Sequence, residues 1–93
     1  MSAHPLPVLM RPWDCIDVKK AADHARRDDK TIRRWVERYG IGRRAGPGSP
    51  IEVSAPALEM VLHGDDEALE LLRRGVRSAP QVRRYLDFLG LAE

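Results

Sequence analysis

The chain has 93 residues, 43% hydrophobic and 32% charged, with a net charge of +2, which describes one small globular domain rather than a disordered or fibrous chain. Its single cysteine, Cys15, excludes an internal disulfide and a cysteine-built zinc site, and no apolar run approaches the roughly 18–20 residues that cross a bilayer. With two Trp, two Tyr and one Phe, the core must rest on Leu, Val, Ile, Met and Ala.

Residues 1–13 hold Pro5, Pro7 and Pro12 and read as an extended arm, because proline fixes φ and constrains the residue before it. Val8, Leu9 and Trp13 are available to pack that arm on the body. Asp17 is a good N-cap, and Val18, Ala21, Ala22 and Ala25 follow at helical spacing, which predicts a short helix over residues 18 to about 26. Its alanines leave room for a second helix to approach closely. Asp28 caps that second helix, predicted over residues 29–39, where Ile32, Trp35, Val36 and Tyr39 form one i, i+3, i+4, i+7 stripe. Lys30, Arg34 and Glu37 occupy the opposite face. Gly40 ends the helix as a C′ glycine. About two residues separate the two helices, so the turn between them is sharp.

Residues 41–45 and 50–53 alternate apolar and polar around Gly46-Pro47-Gly48-Ser49, the pattern of a two-stranded β-hairpin. Pro50 either restricts the second strand to an edge or delays its start. Ser54 caps a third helix over residues 55 to about 62. Asp65 caps a fourth, with Leu69, Leu72 and Leu71 as its apolar residues, closed by Gly75. Ser78 and Gln81 have the spacing of a capping box around Pro80. The fifth helix carries Val82, Tyr85, Leu86 and Leu89, ended by Gly90.

Charge is unevenly spread. Residues 26–44 hold eight basic side chains (Arg26, Arg27, Lys30, Arg33, Arg34, Arg38, Arg43, Arg44) against three acidic ones (Asp28, Asp29, Glu37), whereas residues 55–93 carry a net of −2. A compact basic stripe beside a mildly acidic remainder is the footprint of a nucleic-acid surface. Helix, tight turn, basic helix, hairpin, helix is also the order of a winged helix-turn-helix. A helix fits the major groove, where base edges present distinct donors and acceptors, and arginine can bond guanine through two parallel N–H groups.

Val18-Lys19-Lys20-Ala21-Ala22, then Asp28-Asp29-Lys30-Thr31-Ile32-Arg33-Arg34-Trp35, then Gly40, Ile51 and Leu58 together resemble the excisionase and MerR-like helix-turn-helix group. That group reads as an E-A-A helix, a turn, S-x-x-T-h-x-x-W, a glycine, a basic wing and a third helix. The resemblance spans residues 16–62 and needs no gap from Lys20 to Trp35. It departs from the pattern in the turn, where Arg26 and Arg27 replace a glycine and an apolar residue, and at Lys20, which replaces an acid.

The fold expected is therefore mostly α: a winged helix-turn-helix with a small two-stranded hairpin wing and two additional C-terminal helices. Residues 1–13 would form the arm, 14–63 the DNA-binding domain, and 64–93 a helical hairpin that packs on it or mediates oligomerisation. The expected contacts with double-stranded DNA are Lys30, Thr31, Arg33, Arg34 and Arg38 on the basic helix and Arg43 and Arg44 on the wing, with Arg26 and Arg27 facing phosphate from the turn. Trp35 and Tyr39 lie on the apolar stripe and are expected in the core rather than stacked on a base. Thr31, in the first turn, also suits a local backbone bond. The resemblance implies a small transcriptional regulator or an excisionase-type recombination directionality factor of a phage or mobile element. A phage small terminase subunit and a protein-interaction module on the same scaffold remain as alternatives.

His4, His24 and His63 lack metal-ligand spacing, Cys15 has no evident partner for a catalytic thiol, and Gly46-Pro47-Gly48-Ser49 lacks a phosphate-loop lysine. No enzyme activity, metal, cofactor or small-molecule substrate is expected. Residues 5–10 are too short and too rich in proline for a secretory signal, so a cytoplasmic location is expected. One helix-turn-helix makes few phosphate contacts, which favours a homo-oligomer or a partner protein, with the stripes of the last two helices as the contact surface.

Overall fold

The computed structural model describes residues 5–91. The first four residues of the expected arm, His4 among them, lie outside the described residues. Five helices and a small three-stranded antiparallel sheet follow in the order β1 (Cys15–Asp17), α1 (Val18–Ala25), α2 (Asp29–Tyr39), β2 (Gly42–Arg44), β3 (Ile51–Ser54), α3 (Ala55–Leu62), α4 (Asp66–Arg73) and α5 (Pro80–Phe88). No helix among the described residues is long and apolar enough to cross a membrane.

The first four helices start where a short polar side chain can accept from an otherwise unpaired amide. Asp17 accepts from the Lys20 N–H at 2.7 Å, Asp28 from Thr31 at 2.8 Å, Ser54 from Ala57 at 3.2 Å and Asp65 from Ala68 at 3.1 Å. The fifth start differs from the sequence expectation. Pro80 takes the first helical position, which suits its fixed φ, so Ala79 becomes the cap residue and makes no side-chain cap bond. Ser78 falls one residue outside, and the Ser78–Gln81 box does not form.

The hairpin is also not a two-stranded unit. β3 is the central strand, with β1 on one side and β2 on the other. Ile16 pairs with Val53 and Asp17 with Glu52; across the other ladder Gly42 pairs with Val53 and Arg43 with Glu52. Pro50 therefore delays the strand rather than placing it at an edge: β3 begins at Ile51, and every residue of the central strand keeps its N–H for the ladder. β1 gives this very short hairpin the third strand it needs for stability.

One apolar core runs through the described chain. Ala21, Ala22 and Ala25 of α1 meet Ile32 of α2, Leu58 and Met60 of α3, Leu69 and Leu72 of α4, and Val82, Tyr85 and Leu86 of α5. The expected self-association stripe of α5 is thus largely inside the chain's own core, and Leu71 of α4 packs partly buried against it. On α2 only Ile32 is fully buried; Trp35, Val36 and Tyr39 are half-buried against the core. Trp35 and Tyr39 meet edge to face at 6.4 Å, and the Arg27 guanidinium lies over the Trp35 ring at 5.8 Å.

The arm packs at one end of α2. Val8 is buried and its N–H donates to the Gly40 carbonyl at 2.8 Å, while Leu9 and Trp13 stay 64% and 53% exposed, so Val8 alone of the three expected residues enters the core. Residues 12–14 form a single tight helical turn rather than extended chain. It buries Asp14 completely. Arg77 grips that carboxylate with two bonds of 3.0 Å, and the Arg11 N–H donates to it at 3.0 Å. Arg73 donates to the Leu6 and Tyr39 carbonyls. Gly40, with φ +65°, could not be replaced freely, because a Cβ there would meet the Leu6 carbonyl oxygen at 2.8 Å.

Candidate nucleic-acid interface

The basic residues of α2 stand on its outer face because the opposite stripe is drawn onto the core. Lys30, Arg33, Arg34 and Glu37 recur at i, i+3, i+4 and i+7, and all four are exposed. β2 runs beside this face. Its approach depends on Gly42, which is buried: a Cβ there would lie 2.6 Å from the Glu52 carbonyl oxygen and 2.9 Å from a Val36 methyl. The missing side chain lets the helix and the strand close on one another.

Between them lies an open groove of about 730 Å3. Lys30, Arg33, Arg34 and Glu37 line it from α2, Arg43 and Arg44 from β2, with Val36, Gly42 and Ile51 and, from the arm, Pro7. A second recess of about 300 Å3 is lined by Asp17, Val18, Lys19, Asp29, Pro50 and Ile51, and again by Arg33 and Arg44. Arg33 and Arg44 therefore stand on the ridge between the two depressions.

Five of the nine residues expected at a DNA surface come together here: Lys30, Arg33, Arg34, Arg43 and Arg44. Among the described residues no ion pair within 4.0 Å engages Lys30, Arg33, Arg34 or Arg44. Arg43 differs. Its Nε donates to Glu52 at 2.9 Å, and that acceptor holds its guanidinium more firmly protonated than usual. Its Nη2 also lies 3.7 Å from the Cys15 sulfur. Burial, followed by the Glu52 carboxylate, pushes the Cys15 thiol up, so it stays protonated at neutral pH and is a poor nucleophile.

The other four expected residues do not line the groove. Thr31 is half-buried; its N–H donates to Asp28 at 2.8 Å, and hydrogen bonding from Thr31 holds that carboxyl below the usual range. Arg38 lies over the Tyr39 ring at 5.4 Å, and Arg27 over Trp35. Arg26 ends α1 with φ 57°, and among the described residues it alone other than glycine has a positive φ. That left-handed conformation is the one glycine adopts most readily.

Two lining residues were not foreseen. Lys19 reaches the second recess because β1 draws the start of α1 against the hairpin, and Pro7 reaches the main groove because the arm is pinned at the end of α2. Both depend on contacts between distant parts of the chain. Among the described residues no group of three His, Cys, Asp or Glu side chains could hold a metal ion. No protein-family model, curated protein or solved structure matches the chain.

Proposed function

We propose that the chain binds double-stranded DNA in a sequence-specific manner, with α2 as the reading helix in the major groove and the β2–β3 hairpin as a wing on the adjacent backbone. The observation that carries this reading is the convergence of Lys30, Arg33 and Arg34 from a helix with Arg43 and Arg44 from a strand on one open groove. Four of the five lack an ion pair among the described residues. Cations that make no ion pair among the described residues, on two neighbouring elements, suit phosphate, which supplies most of the affinity, and guanine edges, which supply specificity. An α2 of 11 residues is about 16 Å long, enough to lie along several base pairs.

The winged helix-turn-helix reading takes α1 and α2 as the helix pair and Arg26 as the turn residue, in the pattern of the excisionase and MerR-like group that residues 16–62 resemble. Within that pattern the chain acts as a small transcriptional regulator or a recombination directionality factor. A second copy or a partner protein raises the number of phosphate contacts beyond what one α2 and one hairpin provide.

Selection of bound duplexes from a random pool tests the proposal. The expected result is enrichment of one short motif. Arg34→Ala should then lose about 1–3 kcal/mol of affinity for that motif and much less for random duplex, because a base contact carries sequence information and a phosphate contact does not. Equal losses on both duplexes would make Arg34 a backbone contact, and a pool that enriches nothing would contradict sequence-specific binding.

A further inference from the structure

One residue of the groove runs against its charge. Glu37 is exposed and sits on the same stripe of α2 as Lys30, Arg33 and Arg34, facing Arg43 and Arg44 across the groove. It makes no ion pair with a described residue, although Arg33 and Arg34 lie four and three positions before it on the helix. That order, with the cation N-terminal to the acid, is the less favourable one for a helical pair. So no ion pair with a described residue accounts for Glu37 in the fold, and a carboxylate in a phosphate-binding groove repels the ligand.

A surface built only to hold phosphate would gain from a neutral or basic residue at this position. The carboxylate becomes favourable where a hydrogen-bond donor meets it, and the major groove offers such donors only on exocyclic amines. Cytosine and adenine differ there. The adenine amine lies beside the N7 acceptor, which matches an amide that donates and accepts together but sets a lone pair against a carboxylate. The cytosine N4 amine has no such neighbour on its own base, and a carboxylate accepts from it without conflict. Its partner guanine presents O6 and N7 to an arginine on the same face.

On the reading that this groove holds DNA, we propose that Glu37 is a specificity-determining residue that accepts from the N4 amine of one cytosine in the bound site. Arg34, one turn earlier, reads the neighbouring guanine, while Arg33, on the ridge with Arg44, is left to phosphate. Glu37 thereby excludes other bases at that position and lowers affinity for random duplex.

The test is selection of duplexes from a random pool by the full chain and by its Glu37→Ala and Glu37→Gln variants, each first shown to melt at the wild-type midpoint. For the wild type the expected result is one position restricted to cytosine, with about tenfold or greater discrimination. In Glu37→Ala that position loses its preference to within about twofold while affinity for random duplex rises; in Glu37→Gln it moves toward adenine, which an amide bonds through N6 and N7. Duplex binding with an unchanged motif in both variants overturns the inference and leaves DNA binding standing. A wild-type chain that binds no duplex overturns both.

Discussion

Arginine serves opposite ends in two regions of this molecule. Where the arm meets the end of α4 and the segment after it, Arg73 and Arg77 have side chains only 13% and 11% exposed, and their N–H groups are directed at the Leu6 and Tyr39 carbonyls and at the buried Asp14 carboxylate. On the α2–β2 face, Arg33, Arg34 and Arg44 are exposed and carry no ion pair among the described residues. The first set is consumed by the fold. The second is held out by it. Composition counts both alike; burial and partners separate a structural cation from one available to a ligand.

The comparison breaks most sharply at Arg77. Arg77→Ala leaves the Asp14 carboxylate buried without its bidentate partner, and the loss of one member of such a pair costs about 3–5 kcal/mol. Urea denaturation should show that loss. A variant within 1 kcal/mol of wild type would mean that Asp14 is easily rehydrated and the arm weakly held.

Gly42 tests the seam on which the exposed set depends. A methyl at this position must displace the Glu52 carbonyl or the Val36 side chain, and overpacking of this kind costs about 1–3 kcal/mol. Gly42→Ala should also spread α2 from β2, so duplex affinity falls even at temperatures where the variant stays folded. Unchanged stability and affinity would show that the groove tolerates a wider spacing.

Tyr85 belongs to the consumed set as an acid–acceptor pair. Its hydroxyl donates to Asp65 at 2.7 Å, and burial, followed by that bond, pushes it up to about 12. The unfolded phenol titrates near pH 10. The folded value is the higher one, so this contribution to stability is full below about pH 10 and is lost as pH rises from there toward 12. Tyr85→Phe should cost about 1.5–3 kcal/mol at pH 7, as a bond to a charged acceptor does, and the gap to wild type should narrow as pH rises from about 10 toward 12. A constant gap across that window would contradict the role given to the hydroxyl.

The smallest effect has the opposite sign. Arg26 holds a left-handed conformation that favours glycine, so Arg26→Gly should stabilise the chain by about 0.5–1 kcal/mol. Calorimetry reads that gain. Duplex affinity, measured in parallel, sorts Arg26 into one set or the other: a fall marks a phosphate contact, and no change marks a residue that only turns the chain.

The helix starts and the two faces of α2 were legible in the sequence because their signals are local. Asp17, Asp28, Ser54 and Asp65 each cap within three residues of themselves, and the Ile32, Trp35, Val36, Tyr39 stripe fixes where Lys30, Arg33 and Arg34 must point. What escaped is carried by distant pairs. Cys15–Asp17 is three residues long, and only its partners at Glu52–Ser54 make it a strand. Asp14 and Arg77 are 63 positions apart. Lys19 and Pro7 reach the candidate site through those same long-range contacts. Trp35 was readable as apolar but not as half-buried, since a helical stripe gives direction and not depth.

DNA contact through the cations held out on α2 and β2 would be read from the salt dependence of duplex affinity for the wild type and for an Arg33→Ala, Arg44→Ala double variant. Both residues are exposed and stand on the ridge between the two recesses, so stability should change by no more than about 0.5 kcal/mol for each. Each phosphate contact adds about 0.9 to the magnitude of the slope of log affinity against log salt concentration. The expected result is a steep wild-type slope that becomes shallower by about 2 in the double variant, with the fold intact. A wild type that shows no duplex binding at low salt, or a double variant with the wild-type slope, would contradict it.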